Sequence, residues 1–273
     1  MRKRLAALVL GLSLLLTACG TAVPEPQRLP EGENTGPEVS YIPLDDRPVN
    51  ADRVVYLAES LGYRLTMPEV DLYRTRLDGQ EANPNGTAYG DRAGLYAWLQ
   101  DREAAGCDRY ILSLDQLLSG GLVNSRSFPG ADVVLRDGTV LTEEAFLAAI
   151  LDLLADGENE VYLLDTVMRL APTVGYDGWD LAGYEALRSY GMAARPTLSG
   201  DALTVENIVA AYPLGADGAP LDPADYGVTE EAVAQYLRCR ERKLRLIDEA
   251  LRRTEGMENI HFLIGVDDSA PTD

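Results

Sequence analysis

Histidine is almost missing from this chain, with His261 the single one in 273 residues. Ser–His–Asp and Cys–His nucleophilic machinery and multi-histidine metal sites all need that side chain, so these chemistries fall away. His261 sits at the start of an apolar strand pattern and reads as a strand residue rather than a base. Cysteine is nearly as sparse, at three, with no C-x-x-C spacing or Cys/His grouping that would announce a structural zinc. Positive charge is short as well: 24 Lys+Arg stand against 44 Asp+Glu, a formal charge of −20. A nucleic-acid partner demands a basic footprint, and so does an anionic membrane surface. Neither is expected. What is present is 46% hydrophobic residues, enough at this length to bury a real core.

The N-terminus reads as an address. Arg2, Lys3 and Arg4 precede an apolar run, Leu5 to Leu16, which is too short to span a bilayer well. Leu16-Thr17-Ala18-Cys19 follows and resembles a bacterial lipoprotein lipobox, in which the cysteine is lipidated and becomes the new N-terminus. An ordinary secretory signal or an uncleaved anchor is the alternative. The expected organisation is a signal peptide over 1–19 with Cys19 lipidated, a flexible Pro/Gly/Glu-rich tether over 20–37, and an α/β domain over 38–273. Processing would remove three cations and no acid, moving the formal charge from −20 to −23. Localisation is therefore expected outside the cytoplasm, with the membrane touched only through the lipid. Cys107 and Cys239 remain, more in keeping with buried thiols than with a bridge.

Beyond the tether, strand and helix patterns alternate. Apolar runs at Val39–Leu44, Tyr63–Met67, Arg109–Leu114, Val161–Leu164 and Ile260–Val266 predict strands. Helical periodicity or start signals mark 51–61, 91–105, 142–155 and 229–254, with short helices around 181–190 and 204–212. Such alternation predicts an α/β fold: a mainly parallel sheet flanked by helices, barrel-like or doubly wound, with large insertions at the carboxyl ends of the strands. An acid closes each predicted strand: Asp45, Glu69, Asp115, Asp165 and Asp267. In parallel α/β folds these ends share one rim, where sites form. Acids gathered there would repel one another unless a cation, a proton or a substrate joins them. Solvated loop acids are the plainer reading.

Three strings supply the remaining chemistry. Tyr41-Ile-Pro-Leu-Asp-Asp-Arg-Pro-Val-Asn50 sets two carboxylates beside Arg47, so that one can pair with the arginine and leave its neighbour for a ligand. An Asp–Arg bridge that merely locks the loop is the alternative. Ser119-Gly-Gly-Leu-Val-Asn-Ser-Arg126 offers paired glycines, Gly120 and Gly121, whose backbone N–H groups could meet an anionic or hydroxyl-rich ligand, with Asn124, Ser125 and Arg126 as further donors. A plain turn would use the same residues. Gly265-Val-Asp-Asp-Ser-Ala-Pro271 adds Asp267 and Asp268, and Arg169 follows Asp165 as another rim arginine. Together the three strings resemble the bacterial domain-of-unknown-function family numbered 4127. The resemblance covers most of the chain after the tether and implies no settled activity. Its members are longer, which implies that the domain is incomplete at its C-terminus. Asp273, only seven residues past a hydrophobic strand, agrees with that expectation.

Two enzyme classes fit a site without histidine. Glycoside hydrolysis needs a pair of carboxylates and favours aromatic walls, which Tyr176, Trp179, Tyr184 and Tyr190 could supply. Mg²⁺-assisted phosphoester hydrolysis needs clustered aspartates. Asp45/Asp46, Lys243 and Asp267/Asp268/Asp273 resemble the motif order of haloacid dehalogenase-like phosphatases, although adjacent acids in the first motif depart from that pattern. The leading expectation is a carbohydrate-active hydrolase, with Asp45, Asp46, Asp267 and Asp268 as catalytic candidates. Arg47, Asp115, Ser119, Gly120, Gly121, Asn124, Arg126, Asp165 and Arg169 would bind substrate. No cofactor is required, with Mg²⁺ or Ca²⁺ left open. A surface lipoprotein that captures a small molecule or glycan without turning it over is the alternative. Nothing in the sequence sets the oligomeric state.

Overall fold

The computed structural model describes residues 35–267. The signal peptide with Cys19, the tether up to residue 34, and Asp268 and Asp273 lie outside the described residues. Among the described residues no helix is long and apolar enough to cross a membrane.

The chain opens with β1 (Glu38–Ile42), α1 (Asp52–Ser60) and β2 (Arg64–Thr66), followed by a long connection to α2 (Arg92–Ala104) and then β3 (Arg109–Ser113). Two short helices come next, α3 (Leu114–Ser119) and α4 (Leu122–Ser125), and then a small hairpin of β4 (Val133–Val134) and β5 (Val140–Leu141). The remaining elements are α5 (Glu143–Leu154), β6 (Glu160–Val167), α6 (Leu181–Met192), α7 (Val205–Ala211), α8 (Glu230–Thr254) and β7 (Ile260–Val266). Several helix starts are fixed by side chains the sequence makes plain. Asp91, Thr142, Asp180 and Thr229 each accept a hydrogen bond from a backbone N–H of the first turn, and acids follow Thr142 and Thr229 where the helix dipole favours them.

Five strands form one sheet in the order β2-β1-β3-β6-β7, and every neighbouring pair is parallel. The two ends of this order do not pair, so the sheet is open and doubly wound rather than barrel-like. The order reverses between β1 and β3. Alternate residues of a strand face opposite sides, and the two faces here are covered unequally. On one face Tyr110, Leu112, Val161 and Leu163 are fully buried against Leu95 and Leu99 of α2, Phe146, Leu147 and Ile150 of α5, and Leu246 and Ala250 of α8. The opposite face carries α1, which with Val39, Leu65, Ile111 and Tyr162 borders an apolar groove of about 380 Å³. Past that groove Leu263 of β7 is exposed on the same face.

A second, smaller core gathers Leu187 and Tyr190 of α6, Tyr212, Met168 and the N-terminal half of α8 (Val233, Tyr236, Cys239). The 25 residues of α8, roughly 37 Å long, therefore serve both cores. Cys107 and Cys239 are both buried and unbridged. His261 is exposed, with its ring 4.7 Å from that of Tyr162.

Candidate functional site

The first loop folds onto itself. Asp45, 2% exposed, accepts from the Arg47 backbone N–H at 3.0 Å and from Asn50 Nδ2 at 2.8 Å through one oxygen. Its other oxygen accepts from Arg47 Nε at 2.9 Å and forms an ion pair with Nη2 at 2.7 Å. Tyr41 closes the turn by donating to the Asn50 carbonyl at 2.5 Å, and burial followed by the nearby Asp45 charge pushes its phenol up to about 12. Asp46 is left partly exposed and faces Arg74 Nε at 3.4 Å.

Behind β3 and β6 lies a buried charge cluster. Asp115 falls in the first turn of α3, and Asp165 stands inside β6, which runs three residues past the predicted end of that strand. Lys243 of α8 reaches both, pairing with Asp115 Oδ1 at 2.6 Å and with Asp165 Oδ1, and all three side chains are at most 2% exposed. Thr166 donates through Oγ1 to Asp115 and through its N–H to Asp165, while Asp165 Oδ2 has no partner. Burial raises the Asp165 carboxyl to about 6 against the pull of Lys243, and the neighbouring Asp115 adds to the rise. For Lys243 burial opposes the charge, yet the two carboxylates outweigh it and hold the amine above its usual pKa. One cation among two acids leaves room for one more proton.

The third buried pair is Arg126–Asp267. Arg126 Nε and Nη2 each donate at 2.6 Å to one carboxylate oxygen of Asp267, and Nη1 donates to Thr173 Oγ1 at 2.7 Å. This two-pronged geometry is the strong form of the interaction. Arg169 turns back on its own loop, donating to the carbonyls of Ala171 at 2.9 Å and Pro172 at 2.8 Å.

The Ser119–Arg126 string is mostly structural. Both glycine N–H groups are spent within the fold, Gly120 on the Gln116 carbonyl and Gly121 on the Asp115 carbonyl, so neither is offered to a ligand. A Cβ on Gly120, at φ 75°, would lie 2.8 Å from the Gly90 carbonyl oxygen. These glycines therefore let two loops touch. Ser119 Oγ accepts from Arg242, which also clasps Glu143 with two hydrogen bonds. Asn124 donates to the Ser119 carbonyl and accepts from Tyr176 at 2.7 Å.

These loops enclose a cleft of about 610 Å³ at the carboxyl ends of the strands, bordered by the segments that follow β1, β2, β3 and β6. It covers the place where strand order reverses, the usual location of ligand crevices in open parallel sheets. Leu122 and Val123 give it an apolar side, and Asp45, Asp46, Arg47, Arg74, Arg76, Arg126 and Arg169 give it charge. The sequence-predicted residues Asp45, Asp46, Arg47, Arg126 and Arg169 thus meet at one cleft. Asp267 stands behind it through Arg126, and Asp115 and Asp165 form the buried cluster with Lys243. Among the described residues no three His, Cys, Asp or Glu side chains are grouped to hold a metal ion.

Arg74, Thr75 and Arg76 carry no motif; they come from the long connection after β2 and reach the cleft only through tertiary structure. Lys243 does carry a signal. It stands in the buried stripe of α8 with Tyr236, Cys239, Leu246 and Ala250, spaced by three or four residues, where a lysine needs buried acids.

Neither the curated proteins nor the solved structures contain a match to this chain. Comparison with protein-family models matches residues 39–272, nearly the whole chain beyond its N-terminal segment, to "Protein of unknown function (DUF4127)". That span takes in the sheet but for Glu38, the first residue of β1, and every loop of the cleft, and the chain belongs to this family.

Proposed function

We propose that this protein is an extracytoplasmic lipoprotein, anchored through Cys19, that binds a small molecule or glycan in the cleft at the carboxyl ends of its strands. One observation carries the choice of binding over hydrolysis: among the described residues, four of the strand-end acids are already paired with cations. Asp45 is satisfied by Arg47 and Asn50, Asp267 by Arg126, and Asp115 and Asp165 by Lys243. Glycoside hydrolysis needs two carboxylates facing the scissile bond, one of them protonated. Among the described residues, Asp46, 29% exposed, is the acid of the cleft lining that keeps accessible surface.

Titration calorimetry of the full chain with a panel of oligosaccharides and small solutes, alongside a turnover assay on the same samples, tests this reading. The expected result is binding without turnover, abolished when Val123→Trp, at a partly exposed position of the lining, fills the cleft without lowering the melting temperature. Among the described residues, a hydrolytic reading rests on Asp46. Turnover that Asp46→Asn removes while leaving binding intact would establish it.

A further inference from the structure

A second pocket, of about 300 Å³, has Asp78, Tyr89, Ser127, Phe128, Tyr176 and Asp177 in its lining. It shares no lining residue with the cleft, although the chain passes from one to the other at Leu77–Asp78 and at Arg126–Ser127. We infer that this pocket binds a primary ammonium group carried by a small polar molecule, such as an amino sugar or an alkyl diamine. The inference goes beyond the reading of the cleft and stands apart from it. Two connections far apart in sequence build the acidic side of the pocket. Asp78 accepts from the backbone N–H of Asp177, 99 residues away, at 3.1 Å and from that of Gly178 at 2.9 Å, one through each carboxylate oxygen. The Asp78 N–H in turn donates to the Gly175 carbonyl at 2.9 Å. Two carboxylates are thereby held near each other, and among the described residues neither forms an ion pair.

Ser127 supplies an independent sign of a ligand. It is 7% exposed, and its hydroxyl, in the same lining, has no hydrogen-bond partner among the described residues. A buried hydroxyl left without a partner is uncommon and calls for a bound group to satisfy it. No basic side chain lines the pocket. Arg92 and Arg242, whose guanidinium groups lie 4.9 and 4.7 Å from the centre of the Phe128 ring, are both held by Glu143 and stand outside the lining. Tyr89 and Tyr176 supply the remaining rings. The local field is negative. Burial, and then the Asp78 charge, raises the Asp177 carboxyl, while burial followed by Asp177, Tyr89 and Asp78 raises the Tyr176 phenol. A primary ammonium matches this set: its three N–H donors meet carboxylate and hydroxyl oxygens, and its charge is drawn to the ring faces. An anion would be repelled by both acids, and a neutral sugar would leave their mutual repulsion unrelieved.

The test is calorimetry on the full chain with glucosamine, putrescine and the neutral N-acetylglucosamine, at mildly acidic pH and at low and high salt. At least one amine should bind, more weakly as salt rises, and N-acetylglucosamine should not. Asp177→Asn keeps the shape of the side chain, and asparagine tolerates the backbone φ of 55° at this position. That variant should therefore melt as the wild type does while binding the amine about tenfold more weakly. Ser127→Ala should weaken binding as well. If Asp177→Asn lowers the melting temperature, the comparison of charged with neutral probes on the wild type decides. N-acetylglucosamine binding as tightly as either amine, no binding by either amine, or amine binding indifferent to Asp177→Asn overturns the inference. Amine binding that Val123→Trp abolishes and Asp177→Asn spares would place the amine in the cleft, overturning this inference and leaving the reading of the cleft intact.

Discussion

Asp165 is the residue whose environment makes the firmest demand on solution behaviour. Its carboxyl, raised to about 6 from the ordinary 3.8, holds a proton more tightly in the folded chain than in the unfolded one. Such a group contributes its stability fully below the ordinary carboxylate range and loses it as pH climbs through about 6. Urea unfolding of the wild type and of Asp165→Asn at pH 4, 6 and 8 checks this. The wild type should lose stability relative to the variant across that range, since asparagine carries no proton to lose; a pH-independent difference would refute the assignment. The sequence makes the rim acids legible, Asp45, Asp115, Asp165 and Asp267 all standing at or near strand ends. It does not reveal that each already has a cation. Arg47 is two residues from Asp45, but Arg126 is 141 residues from Asp267 and Lys243 is 128 from Asp115. Pairings across such separations are set by how helices dock on the sheet.

At the scale of elements, the strands and the long helices follow from periodicity and capping, and the parallel pairing follows from their alternation. The Ser119–Arg126 segment shows where that reasoning stops. Its glycine pair reads equally as a ligand-binding loop or as a turn, and the outcome depends on Gly90, a residue distant in sequence that lies against Gly120. Two substitutions separate backbone strain from close approach. Gly86→Ala, at φ 78° with nothing within 4 Å of the added Cβ, should cost about 1 kcal/mol from conformation alone. Gly120→Ala, at φ 75°, adds contacts at 2.8 Å with the Gly90 carbonyl and the Tyr89 ring, and should cost about 2–4 kcal/mol. Chemical denaturation of both variants measures the difference. Equal costs would mean that the two loops separate to admit the methyl group.

For the molecule as a whole, a chain of formal charge −20 gathers five arginines along one cleft at the carboxyl ends of its sheet. Composition predicts the first property and conceals the second, because a net charge says nothing about where the minority sign collects.

Lys243, buried at the middle of α8 between the two cores, also gives the protein an internal clock. It is one of only two lysines in the sequence, the other being Lys3. An amine-reactive reagent can modify Lys243 only when the helix lifts away from Asp115 and Asp165, which means opening the core. Timed acylation of the native protein, read as mass gained on the peptide containing Lys243, should therefore be limited by that opening, and in denaturant should run at the intrinsic rate of an exposed amine. Rapid labelling under native conditions would show that α8 detaches without global unfolding.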